Sequence, residues 1–261
     1  MTLLDLGQNM NSSIEYTRKF FVDLSRLAVL VILNIIPIVN LIVAGYYVKT
    51  IRETPSSDSP PRLEQYGDLW VDGLKIVIAI IAYMIVPLVL IVVGASSLFA
   101  GFTWGAYGPG IVMLPAGLGV TLLIAGVILA FAVAIIMAMA VVHMVKTGSF
   151  GKAFAVDEIL GIIGKIGWGE YILWLIIVFV FAVTVGAVGQ IPAIGWIISL
   201  VISPVFGVFT SRSAALMYTD AVSLGAATAA PAAPSEKKFC MACGAQIPKG
   251  ATYCPLCGKS Q

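Results

Sequence analysis

Long stretches of this chain carry no charge. No Asp, Glu, Lys or Arg occurs between Ile76 and Val145, or between Tyr171 and Ser211. Charged residues make up 11% of the sequence, against roughly 25% in ordinary soluble domains. Apolar residues make up 60%, and the mean hydropathy is +1.02. A soluble fold needs polar atoms to cover its surface. Too few are present here, so the covering solvent is lipid. There is one histidine, His143, and no cysteine precedes Cys240, so disulfides do not staple the membrane part. Coupled transporters place ionisable groups at mid-depth; the uncharged spans argue against that class. The net charge of +2 is too small to argue for nucleic acid. The start of the chain also lacks the pattern of a secretory leader. Residues 1–26 mix Asp5, Glu15, Arg18, Lys19, Asp23 and Arg26 where a leader has an apolar core and a small-residue cleavage site, so we expect them to be retained.

What is present is best read around Leu27–Val48. These 22 residues are uncharged, with Pro37 near the middle and Asn34 and Asn40 on either side. At 1.5 Å per residue a continuous helix of this length spans the ~30 Å hydrocarbon core once. Proline removes an amide donor and disfavours helix in the residue before it, so two half-helices turning at Pro37 would form a re-entrant hairpin. Charge helps to choose. With the hairpin, all 15 Lys and Arg fall on one side; with a single span the division is 12 to 3. The rule that basic residues stay inside prefers the hairpin and places the C-terminus in the cytoplasm. The two asparagines are expected to satisfy backbone groups freed by the break.

The remaining apolar runs give four crossings. Two lie at about Ile76–Phe99 and Pro115–Val142, joined by a connector holding Trp104 and Tyr107. Two more lie within Tyr171–Ser211 and turn at Gly189–Pro192. The fold class is therefore an all-α polytopic membrane protein. Residues 1–26 read as an amphipathic interfacial helix, with Ser12-Ser13-Ile14-Glu15 in the form of a capping box. Residues 27–220 are the membrane domain. Between crossings, the Pro/Ser cluster Pro55–Pro61 reads as an exposed loop. A second surface helix is expected where Val156, Ile159, Leu160, Ile163 and Ile166 share a face, with Asp157 and Glu158 on its solvated side. Gly117, Gly119, Gly126, Gly186 and Gly189 permit close helix approach and allow a homo-oligomer. Ile36-Pro37 and Ile191-Pro192 form a faint internal echo, although Ile-Pro before apolar residues arises readily by chance in so apolar a chain.

Chemistry concentrates at the C-terminus. Residues 221–236 read as an Ala/Pro linker. Residues 237–261 follow, with Cys240-x2-Cys243, ten residues, then Cys254-x2-Cys257. Each Cys-x2-Cys pair presents two thiolates from one knuckle, and four thiolates satisfy tetrahedral zinc. Gly244 and Gly258 stand where the turn needs a left-handed residue. This is the spacing of a small β-type zinc ribbon. Two disulfides are the rival reading, which a reducing cytoplasm disfavours. With no open position the zinc is expected to be structural, and about 25 residues depend on it for folding.

GYYVKTIRE (Gly45–Glu53), the Pro/Ser loop, DLWVDGLKIVIAIIAYMIVPLVL (Asp68–Leu90), GWGEY (Gly167–Tyr171), IPAIGWII (Ile191–Ile198) and SRSAALMY (Ser211–Tyr218) together resemble an uncharacterised, mainly archaeal membrane family, domain of unknown function 4013. That resemblance implies a fold and no activity. We expect no catalytic residues. His143 reads as an interfacial histidine, and Asp68, Asp72 and Glu170 as helix-start acids favoured by the dipole. The functional expectation is a non-enzymatic membrane protein whose cytoplasmic ribbon binds a protein partner. The alternative is a channel or uncoupled transporter with broken helices at Pro37 and Pro192 lining its path. Four lysines interleaved only with Phe239 and Tyr253 are a weak signal for nucleic acid.

Overall fold

The computed structural model describes residues 5–103, 116–229, 237–248 and 252–260. The helices are α1 (Leu6–Arg18), α2 (Leu24–Ile35), α3 (Leu41–Glu53), α4 (Tyr66–Thr103), α5 (Ala116–Thr147), α6 (Val156–Ile166), α7 (Trp168–Gly189) and α8 (Gly195–Ala229). Short 3-10 turns at Lys19–Val22 and Phe150–Phe154 join α1 to α2 and α5 to α6. Two strands, β1 (Lys237–Phe239) and β2 (Gln246–Pro248), pair antiparallel. The chain divides into two compact units after Val222. The connector with Trp104 and Tyr107 lies outside the described residues.

Among the described residues, four helices (α4, α5, α7 and α8) are long and apolar enough to cross a membrane. They turn large apolar side chains outward: Ile81, Ile85, Val89 and Val92 on α4, Phe131 on α5, Phe179 on α7 and Trp196 on α8 are each about half exposed or more. In water that surface would be untenable; in lipid it is the covering face. This is a multi-pass membrane protein.

Small residues let the helices meet. A Cβ on Gly94 of α4 would lie 2.5 Å from the Leu123 amide nitrogen of α5. One on Gly126 of α5 would lie 2.9 Å from the Ile91 nitrogen of α4, and one on Gly119 would lie 1.9 Å from Ser97 Oγ. Gly117 and Gly186, also expected to serve close approach, face open space. The tightest crossing joins α3 to α4. There a Cβ on Gly45 would sit 1.8 Å from the Leu69 carbonyl oxygen, and one on Gly73 would sit 1.9 Å from that of Leu41. Arg52, further along α3, bonds Asp72 of the same short stretch of α4 at 2.8 Å. So α3 packs closely against the start of α4.

Leu27–Val48 is broken, not continuous. Helices α2 and α3 are each about 18–20 Å long by their residue count, too short to cross the hydrocarbon core. Both far ends reach one loop: Arg26 donates to the Pro60 carbonyl at 2.9 Å, and Lys49 to that of Arg62 at 2.8 Å. The chain has turned back, as the hairpin reading requires. The turn matches the one between α7 and α8. After each Ile-Pro the next residue is left-handed (Ile38, φ 71°; Ala193, φ 69°). The Asn40 amide then bonds the Ile36 carbonyl at 3.0 Å, and the Gly195 amide that of Ile191 at 2.9 Å. The internal echo is a shared turn geometry. The Asn34 side chain does not serve the break as expected. Asn34 donates to Ser203 of α8, and it is Trp70 that meets the carbonyl of Ile38.

Two local expectations are corrected. The helix at the N-terminus begins at Leu6, so Ser12 and Ser13 stand mid-helix and no capping box forms; buried Ser13 bonds Asn9 instead. That helix buries a polar face, with Asn9 and Trp174 both on Ser213 of α8. Second, α8 continues to Ala229, well into the expected linker. Alanine is the strongest helix former, and the helix ends shortly before Pro231.

Helix α6 packs inward. Ile159, Ile162, Ile163 and Ile166 are buried against α5, α7 and α8, while Asp157, Glu158 and Lys165 face out. The Pro/Ser loop is not merely exposed either. Six backbone carbonyls of the loop and its two flanking residues accept side-chain bonds from five helical segments: Thr54 from Lys146, Ser57 from Arg212, Asp58 from Lys19, Pro60 from Arg26, Pro61 from Tyr46 and Arg62 from Lys49.

The α3–α4 crossing leaves no room for a methyl group against backbone oxygens. Gly73→Ala should therefore destabilise the protein by about 1–3 kcal/mol, read as a lower melting temperature in detergent. Gly117→Ala, into open space, should leave it unchanged.

Candidate metal centre

Residues 240–245 and 254–259 fold as two copies of one turn. The Cys240 amide bonds the Ala245 carbonyl at 2.8 Å, and the Gly244 amide bonds Cys240 at 2.9 Å. In the second copy Cys254 bonds Lys259 at 2.9 Å, and Gly258 bonds Cys254 at 2.8 Å. Such a turn needs a left-handed residue after the second cysteine. Gly244 (φ 72°) and Gly258 (φ 70°) supply it, where a side chain would be strained. Strands β1 and β2 flank the first knuckle, and a Tyr253–Ser260 bridge closes the second. Cys240, Ile247 and Cys254 form the small buried core.

The knuckles bring four sulfurs together. All lie within 4.8 Å of one another, with Cys240–Cys257 at 3.6 Å and Cys243–Cys254 at 3.7 Å. A tetrahedron with Zn–S bonds of about 2.3 Å has edges of about 3.8 Å. A disulfide needs about 2.05 Å. The spacing is that of ligands around one ion. Burial opposes ionisation of Cys240, but the backbone N–H groups of Ala242 and Cys243 donate to its sulfur and carry the thiol down to about 6. Backbone N–H groups of Cys257 and Leu256 likewise lower Cys254. The first cysteine of each knuckle is thus shifted toward the thiolate, the form that binds metal. Four sulfurs would fill the coordination sphere of one zinc ion, which would then supply structural stability and leave no position for a water.

Residues 29–194 match the family model described as Protein of unknown function (DUF4013). The chain belongs to that family. The DUF4013 match runs from within α2, through both Ile-Pro turns, to the threshold of α8. A separate zinc-ribbon domain model matches residues 235–261, which agrees with the sulfur geometry. No curated protein and no solved structure matches this DUF4013 chain.

The membrane unit holds a second cluster that sequence reasoning missed. His143, 5% exposed, bridges Tyr218 of α8 (Nδ1 to the hydroxyl, 2.8 Å) and Glu158 of α6 (Nε2 to Oε2, 3.0 Å). Lys152 also bonds Glu158. The Lys152 ammonium, then His143, hold the Glu158 carboxyl below its usual range. Its place on the outer face of α6 hid Glu158 as a partner: it contacts His143 across the intervening 3-10 turn. Of the interfacial acids, Asp72 is held between Arg52 and Lys75 at 2.8 and 2.9 Å.

The ribbon should take up one zinc per chain, with proton release and weaker binding as pH falls. Cys240→Ser should lower the affinity by orders of magnitude, measured by competition with a chromophoric chelator. Strong chelation should make all four cysteines alkylatable while helical circular dichroism stays constant.

Proposed function

We propose that this is a non-enzymatic membrane protein whose cytoplasmic zinc ribbon recruits a protein partner to the bilayer surface. The carrying observation is the ribbon's own exterior. Phe239, Met241, Tyr253 and Leu256 are 65%, 96%, 66% and 78% exposed. Met241 and Leu256 sit inside the two Cys-x2-Cys knuckles, so metal binding would fix their positions. A domain this small, holding one ion and presenting large apolar side chains, suits protein contact better than catalysis. Lys238 and Lys259 add positive charge and favour a partner with an acidic rim.

Sidedness is part of the same reading. Arg212, near the end of the membrane unit, bonds the Pro/Ser loop. The hairpin gathers the basic residues at that end, and their excess favours the cytoplasmic side. A second reading, an uncoupled solute path, is favoured by one feature. An open cleft of about 530 Å³ beside the Pro192 turn is lined by Gln190, Ser199 and Ser203 among apolar residues.

Pull-down from native membranes in mild detergent tests the proposal. Intact protein should retain a partner that both Cys240→Ser/Cys243→Ser and the zinc-binding Met241→Ser/Leu256→Ser forms lose. The same retained proteins from all three forms would refute it. Solute flux in liposomes that survives deletion of residues 235–261 would support the second reading.

A further inference from the structure

A pocket of about 220 Å³ opens between the end of α3, the start of α4 and the end of α5. Its polar wall is Arg52, Asp72 and Lys75; its apolar wall includes Val48, Val145 and Phe150. Its height in the fold is set by sequence. Lys75 is the last charge before the uncharged run of α4, and Val145 is the last residue before charge resumes at Lys146. The pocket therefore stands where charged segment meets lipid-covered span on two neighbouring helices, at the level of lipid headgroups.

We infer that this pocket binds the phosphate of a lipid headgroup, with the acyl chains staying outside it in the bilayer. The charge fits. Asp72 accepts one bond each from Arg52 and Lys75, and two cations on one carboxylate leave a net positive charge. Those bonds use one of five guanidinium donors and one of three ammonium donors, and phosphate oxygens take the forked geometry of guanidinium well. Both cations are about half exposed, Arg52 at 56% and Lys75 at 49% of the side chain, while Asp72 at 14% sits behind them. An incoming anion meets the cations first. The size fits a fragment: pockets that enclose whole small ligands run to roughly 300–1,000 Å³, so this one takes a headgroup and leaves the chains outside. Basic pockets between membrane helices bind anionic headgroups in this way.

Native mass spectrometry of the intact protein in mild detergent tests the assignment, with three probes: phosphatidylglycerol, diacylglycerol and inorganic phosphate. One phosphatidylglycerol should be retained per chain, and diacylglycerol should not. Arg52→Gln/Asp72→Asn/Lys75→Gln removes the charges without leaving a lone carboxylate, and should weaken retention at least tenfold. Arg52→Gln alone keeps the Asp72–Lys75 pair and should weaken it less. Lys165→Gln, an exposed cation on α6, should bind as wild type. Melting temperatures of the variants separate lost binding from lost folding. Equal retention by wild type and a folded triple variant, or diacylglycerol held as tightly as phosphatidylglycerol, would overturn the inference. Inorganic phosphate bound without the lipid would reassign the pocket to a free anion and overturn it equally.

Discussion

The loop from Thr54 to Arg62 holds the charged end of the membrane unit together. Proline-rich backbone cannot join a helix or sheet, so its carbonyls need other partners, and buried carbonyls left unpaired are costly. Six of them are met by side chains from α2, α3, α5, α8 and the turn after α1. Arg212 shows which interaction dominates. Its contact with Asp58 is long, 3.7 Å, to a carboxylate 90% exposed, and such surface pairs contribute little. Its bond to the Ser57 carbonyl is 2.8 Å from a side chain only 5% exposed, and its guanidinium lies 4.6 Å from the Tyr16 ring centre. Bonds from charged donors of this kind contribute roughly 1.5–3 kcal/mol each. The spans provide no charge for the cations to pair with, so the loop backbone serves as their acceptor.

That constraint explains which parts of the fold could be read from sequence. The four crossings follow from uncharged length alone. The ribbon follows from cysteine spacing, because ligand chemistry is local. The hairpin was legible through Pro37 and the placement of basic residues. What escaped were contacts between segments distant in the chain. Nothing local tells that Asn9 will meet Ser213, that Trp70 will meet the freed Ile38 carbonyl, or that Glu158 will bond His143. The Pro/Ser loop was read as an exposed loop, and Pro55, Ser56, Asp58 and Ser59 are exposed, but composition does not report who bonds the carbonyls. The helical start of the linker escaped for a different reason: its small residues were read as a linker, and alanine there prolongs α8 to Ala229.

The same partition shapes the functional reading. The spans are apolar surfaces packed through glycine. Polar side chains of the membrane unit gather at the pocket of α3, α4 and α5, and the zinc ribbon, by itself, presents large apolar ones. In this account lipid contact and partner contact are separate tasks: a phosphate-binding pocket in the membrane unit, and an apolar surface on a module stabilised by one metal ion.

The central claim is that all charged segments meet on one membrane face. Its most direct test is labelling of single cysteines in intact vesicles, in a form with the four ribbon cysteines replaced by serine. Glu15→Cys, Ser56→Cys and Lys165→Cys should react with a membrane-impermeant maleimide from the same side, and Gln190→Cys from the other. Labelling of Glu15→Cys and Ser56→Cys from opposite sides would mean that Leu27–Val48 crosses the bilayer, and would contradict the account.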